Sequence, residues 1–197
     1  MVVKPVYKSI CVYCGSADGL ADGYLAAARE LGQILADRAI ELVYGAGKTG
    51  LMGAVADGVL NAGGKVIGVV SENLNQPQLM HTGLTRLEVV ADIHQRKARM
   101  SQLAEAFIAL PGGYGTLDEL FETLTWAQIG LHTKPVGLLN INGYFSPLLA
   151  MIERARNEKF IYDEHRDLLV SSDRPLDLLD LLENFKSPSG LDRWVNR

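Results

Sequence analysis

Seven short apolar runs, most of them separated by stretches of helical periodicity, constrain this chain more than any other feature. The runs are SICVYC (9–14), ELVYG (41–45), KVIGVV (65–70), RLEVVA (86–91), AFIALP (106–111), KPVGLL (134–139) and DLLVS (167–171). They are rich in Val, Ile and Leu and alternate little, as strands do when helices cover both sheet faces. Helical patterns occupy 23–38, 50–62, 92–104, 116–130, 145–158 and 175–185. This alternation predicts βαβ units and an α/β fold of the Rossmann-like, doubly wound kind, a mostly parallel sheet flanked by helices on both faces. Gly63-Gly64 ends the second helix, and Asp173 stands where it would cap the last. No repeat, low-complexity stretch or linker interrupts the pattern, so 1–197 reads as a single domain. The tail SPSGLDRWVNR after Lys186 reads as loosely held.

Composition narrows the partners. A chain of 197 residues buries enough surface to fold without staples. Its net charge of −4 speaks against nucleic acid, whose phosphates recruit basic faces. No apolar run approaches the roughly 20 residues needed to span a bilayer. The start, MVVKPVYKSICVYCG, leads straight into the first strand without a separate cleavable segment. The expectation is a cytoplasmic protein with no membrane partner. Cys11 and Cys14 form a C-x-x-C on a strand, where they face opposite sides and share neither a metal nor a disulfide.

In doubly wound sheets, ligands sit beyond the carboxyl ends of the strands. Three glycine-bearing segments qualify: CGSADG (14–19), GAGKTG (45–50) and PGGYGT (111–116). The middle one is not a P-loop, because the glycine required five residues before Gly47 is Leu42. Gly45, Gly47 and Gly50 do match G-x-G-x-x-G, with Glu72 after the next strand, which is the dinucleotide fingerprint. That fingerprint normally occupies the first βα turn, whereas here it occupies the second. Three readings of this loop stay open: a turn lining a nucleotide site, a tight turn alone, and a true NAD-type site.

PGGYGTLDELFE (111–122) is the strongest signal. Gly112, Gly113 and Gly115 let backbone N–H groups approach a ligand, and a helix opening at Thr116 adds its positive dipole end, which together suit a phosphate. Thr116-x-x-Glu119 also fits a capping box, which needs no ligand. Periodicity places Leu117, Leu120, Phe121 and Leu124 on the core face and Glu119, Glu122, Thr123 and Trp126 opposite. A tryptophan beside two carboxylates suggests a pocket or a subunit interface there. In DIHQRKARMSQLAEA (92–106) the stripe Ile93, Arg96, Lys97, Met100, Ala104 mixes two cations with apolar residues. Such heads either snorkel or meet an anion, which for Arg96 means a substrate phosphate and ribose or the Glu119 carboxylate. Arg99 reads as solvated, His94 lies next to the Arg96 face with a solvated or capping role equally open, and His81, His132 and His165 read as loop residues.

HQRKARM (94–100) and PGGYGTLDELFETLTWAQIGLHTKPVGLLN (111–140), with CGS (14–16) and GLMG (50–53), resemble the LOG ("lonely guy") family over roughly 9–170. The resemblance implies hydrolysis of N6-modified adenosine 5′-monophosphates, and AMP, to free base and ribose 5-phosphate. It implies no metal or organic cofactor, and a homodimer. Arg96 and Glu119 match the family's catalytic pair. Lys97, the run Gly113 to Glu119 and Thr125 match its substrate-lining positions. With the loop readings above, the expected substrate-binding set is Ser16, Gly47, Lys97, Met100, Gly112, Gly113, Tyr114, Gly115, Thr116, Leu117, Asp118, Glu122 and Thr125. This chain has Gln78-Leu79-Met80 where some members carry an acidic residue. Relatives have also been labelled lysine decarboxylases, but no lysine here has a recognisable pyridoxal-phosphate context. A carrier of a phosphorylated pterin-type cofactor and an NAD-dependent enzyme are the competing readings.

Overall fold

The computed structural model describes residues 6–191. Its strands are β1 (Ser9–Tyr13), β2 (Glu41–Tyr44), β3 (Val66–Ser71), β4 (Arg86–Val90), β5 (Ala106–Ala109), β6 (Val136–Leu139) and β7 (Leu169–Ser172). They form one sheet of order β4-β3-β2-β1-β5-β6-β7. Every neighbouring pair is parallel. All seven expected strands are present, and the sheet is wholly rather than mostly parallel.

The helices are α1 (Asp22–Asp37), α2 (Gly50–Asn61), α3 (Ile93–Leu103), α4 (Tyr114–Gln128), α5 (Ser146–Asn157), α6 (Asp163–Arg166) and α7 (Pro175–Glu183). Only the single turn α6, which carries a buried His165 rather than a loop histidine, lacks a counterpart in the periodicity. Leu31, Leu35, Val55, Val59, Leu178 and Leu182 bring α1, α2 and α7 onto one face, against Ile10, Leu42 and Ile108. Met100 of α3, Leu120 of α4 and Phe145 ahead of α5 cover the other, against Cys11, Val43, Phe107 and Val136. Each fully buried Leu or Phe of these layers contributes about 1.5–3 kcal/mol. Cys11 and Cys14 lie in opposite layers as buried free thiols.

The expected cap by Asp173 does not form. Arg174 is the N-cap of α7, and its N–H donates to Ser172 Oγ. In the tail, Leu191 packs on Ala127 and Leu168; residues 192–197 lie outside the described residues. No helix among the described residues is long and apolar enough to cross a membrane.

The winding direction reverses between β1 and β5. From β1 the chain steps outward through β2, β3 and β4, then returns to β5 on the other side. A crevice therefore opens beyond the carboxyl ends of these two strands. Leu110 N–H donates to Tyr13 O (2.9 Å) and Gly15 N–H to Pro111 O (3.0 Å), which locks the 14–19 and 111–116 loops side by side.

Candidate active site

A cleft of about 660 Å³ occupies this crevice. All three glycine-bearing loops line it, through Gly15 and Ser16, through Gly45 and Gly47, and through Gly112, Gly113, Gly115 and Thr116. Its charged lining is Arg96 and Glu119, and much of the remainder is apolar or aromatic.

Asp92 begins α3 by accepting the Gln95 N–H on its side chain at 2.8 Å. This start sets Arg96 on the first turn, facing the end of β3. Arg96 Nε donates to Val69 O (3.0 Å) and Nη1 to Glu119 Oε1 (2.8 Å). Of the two anions considered for Arg96, the Glu119 carboxylate is the one it meets. Both side chains are only 11% exposed. Burial pushes the Glu119 carboxyl above the ordinary carboxylate range, against the pull of the Arg96 charge.

Lys97, the next residue, bonds Asp118 and Glu122 at 3.0 Å each, one residue before and three after Glu119. Burial works against its charge, but the two carboxylates outweigh this and hold the ammonium above its ordinary pKa. The α3–α4 contact is thus laced by three ion pairs with Glu119 in the middle.

α4 starts at Tyr114 with Gly113 as N-cap, two residues earlier than expected. Thr116 is therefore inside the first turn, packed so tightly on Gly112 that a Cβ there would lie 2.1 Å from its hydroxyl. The capping box does not form, because the Glu119 side chain reaches Arg96 instead. The buried stripe of α4 is Thr116, Leu120, Thr123 and Ala127, whose small members let the helix sit close to the sheet. Phe121, expected in the core, is exposed, and Thr123, expected on the far face, is buried. Thr123 Oγ1 donates to Glu119 O (2.9 Å), so the Tyr13 hydroxyl 3.0 Å away donates to Thr123. His132, half-buried, bonds Thr123 O.

The dinucleotide reading fails on α2. Its first amides are occupied, since Leu51 and Met52 N–H both donate to Gly15 O (2.9 and 3.3 Å). Gly50, at φ +58°, closes against Ser16 and Ala17, and the space a Gly45 side chain would fill holds the Arg96 guanidinium. No pyrophosphate can use those amides as it does in that motif. Glu72 is exposed and off the cleft.

Among the expected substrate-binding residues, Ser16, Gly47, Gly112, Gly113, Gly115 and Thr116 line the cleft. Lys97, Asp118 and Glu122 are engaged with one another beside it. Met100 is buried in the core, and Leu117 packs partly against the same layer. Tyr114 is 94% exposed, and Thr125 bonds Phe121 O on the outer side of α4. Arg99 pairs with Glu88 rather than standing solvated.

Sequence reasoning missed the apolar wall, which includes Leu20, Tyr24, Met52, Val70, Leu74, Ile93 and Tyr144. Leu79 and Met80, noted only for the missing acidic residue, belong to it as well. A bridge between Gly47 and Met80, with Lys48 N–H donating to Leu79 O, folds their segment over the cleft.

The chain is 47% identical over 94% of its length to the cytokinin riboside 5′-monophosphate phosphoribohydrolase LOG1 of Arabidopsis thaliana, covering 87% of that protein. The chain belongs to the LOG family. It is likewise 47% identical to the probable enzyme of the same name, LOGL2, of Oryza sativa subsp. japonica, over 94% of this chain and 76% of that one. Residues 52–182 match a family profile described as "Possible lysine decarboxylase". Among solved structures, the molybdenum cofactor binding protein of Rippkaea orientalis superposes with a TM-score of 0.69 at 22% identity, over 93% of this chain and 98% of that one. The molybdenum cofactor carrier protein of Chlamydomonas reinhardtii gives 0.69 at 21%, with the same coverages. At these identities the likeness is one of fold alone.

Proposed function

We propose that this LOG-family protein hydrolyses the N-glycosidic bond of N6-modified adenosine 5′-monophosphates, and of AMP, giving free base and ribose 5-phosphate. The observation that carries this reading is the Arg96–Glu119 pair, set in a largely apolar cleft beside the glycine loop that opens α4. The loop and helix start supply amides and positive dipole for the 5′-phosphate, and the apolar wall accepts the base and its substituent.

Cleavage of the C1′–N9 bond leaves positive charge on the sugar. Glu119 lies close enough to the loop to stabilise that charge and to take a proton from the water that adds to C1′. The base leaves with the C1′–N9 bonding electrons and gains a proton at nitrogen, which balances the proton that Glu119 takes from water and then gives up to solvent. A carboxyl raised by burial is a better base than an ordinary one, while Arg96 orients it and holds its charge. Lys97 supports the same helix face through Asp118 and Glu122.

The proposal extends to a homodimer in the cytoplasm. Tyr114, Phe121, Ile129 and Leu131 leave an exposed apolar and aromatic strip along α4 and the turn after it, the kind of surface a subunit contact covers. Sequence resemblance to the LOG enzymes supports the same reading.

The test is to incubate the protein with N6-isopentenyladenosine monophosphate and quantify both products. Base and ribose 5-phosphate are expected in equal amounts. The acid limb of kcat should lie above the ordinary carboxylate value of about 4.3, because ionised Glu119 is the active form and burial raises its pKa. Unequal products, or an acid limb at or below that value, would contradict the assignment.

A further inference from the structure

We infer that Tyr144 is a positioning residue for the phosphate-binding loop, its hydroxyl holding the Gly112–Gly113 peptide in one orientation. The inference rests on the function proposed above and adds a residue that neither motif contains.

Tyr144 follows the turn Ile141–Gly143 beyond β6, where Asn142 (φ 53°) and Gly143 (φ 72°) swing the chain back toward the cleft. Asn140 fixes this turn by accepting the Phe145 N–H on Oδ1 (2.6 Å) and donating from Nδ2 to Ser146 Oγ (3.2 Å). Buried Phe145 anchors the turn below. The Tyr144 ring stands edge-on to Phe145 and to Tyr24, with centroids 5.1 and 6.3 Å apart. So held, its hydroxyl donates to Gly112 O at 2.6 Å, although the residue is 43% exposed.

The bonded carbonyl belongs to a peptide between two glycines, where no side chain resists a flip of the plane. The peptide is trans, so its C=O and N–H point in opposite directions. A flip would exchange the Gly113 N–H for a carbonyl oxygen at an anion site, replacing attraction by repulsion. Gly112 is already closely packed on the side a Cβ would occupy, where it would lie 2.1 Å from Thr116 Oγ1 and 2.8 Å from Gly15 N. The Tyr144 bond holds the carbonyl itself. Gly113 and Gly115, by contrast, face open space, as a ligand requires.

Tyr144→Phe keeps the ring contacts and removes only the donor. AMP hydrolysis, its inhibition by ribose 5-phosphate and by adenine, and direct calorimetric binding of ribose 5-phosphate are measured on wild type and variant. The ribose 5-phosphate constant and KM for AMP should rise about 5- to 10-fold, as for one lost hydrogen bond. The expected kcat and adenine constant are unchanged, and Tm should fall by no more than about 4 °C. An unchanged ribose 5-phosphate constant overturns the inference, as does equal weakening of both products. Should wild type release no base yet bind ribose 5-phosphate, the proposed reaction fails and calorimetry still decides Tyr144. Absence of that binding in wild type overturns the Tyr144 inference, and absence of both binding and base release overturns the proposed reaction with it.

Discussion

Glu119→Gln lowers kcat by at least about 100-fold while the protein stays folded. Gln has the same shape and still offers Oε1 to Arg96 Nη1, so the packing around α4 is retained. What disappears is the negative charge beside C1′ and the acceptor for the water's proton. Two effects on stability oppose one another. Because burial raises the Glu119 pKa in the fold, the ionised carboxylate costs stability above its unfolded pKa, and the amide removes that cost. Arg96 loses its counter-charge in exchange, and the net change in Tm should be small. Circular dichroism and base release on the same preparation check both halves. A folded variant with wild-type kcat would remove Glu119 from the chemistry.

Gly45→Ala should reduce kcat/KM by about 100-fold by displacing Arg96 rather than by replacing either member of the catalytic pair. A Cβ at Gly45 would stand 1.9 Å from Arg96 Nη2 and 2.8 Å from Met52 Cε, so both flexible ends must move. The backbone itself tolerates alanine there, since Gly45 is not among the positive-φ glycines, and the fold should persist. Displacing the guanidinium breaks its grip on Glu119 and Val69 O together. A shift of about 1 Å in such a group commonly costs about 100-fold in rate. Steady-state kinetics beside a melting curve make the comparison. Full activity in Gly45→Ala would mean that the observed Arg96 position is not the working one.

The inner strands β1, β2, β3, β5 and β6 were legible as short apolar runs buried almost throughout, and the edge strands β4 and β7 as apolar runs that stay partly exposed. Their order was not, because β1 meets β5 across more than 90 residues, and nothing local to Cys14 or Pro111 records that meeting. Arg96 and Glu119 stood out as charges on an apolar stripe and behind a glycine loop. The capping-box alternative fails because its two residues have stronger partners elsewhere: Thr116 packs on Gly112 and Glu119 finds Arg96. The apolar wall was illegible for another reason. Tyr24, Met52, Met80 and Tyr144 come from four separate segments, each unremarkable alone, and only the topology brings them together. The glycines of 45–50 fit the reading of a turn that lines the cleft, through Gly45 and Gly47, and not the dinucleotide one. They make room for a side chain, Arg96, and for the 15–17 loop, rather than for a pyrophosphate.

The central claim is that this cleft recognises a nucleoside by its 5′-phosphate and cuts it at C1′. The most direct test compares N6-isopentenyladenosine monophosphate with N6-isopentenyladenosine at equal concentration, following free base by chromatography. Release from the monophosphate, exceeding that from the nucleoside by at least about 100-fold, is the predicted result, because phosphate binding fixes the sugar for attack. Equal release from both, or release from neither, would contradict it.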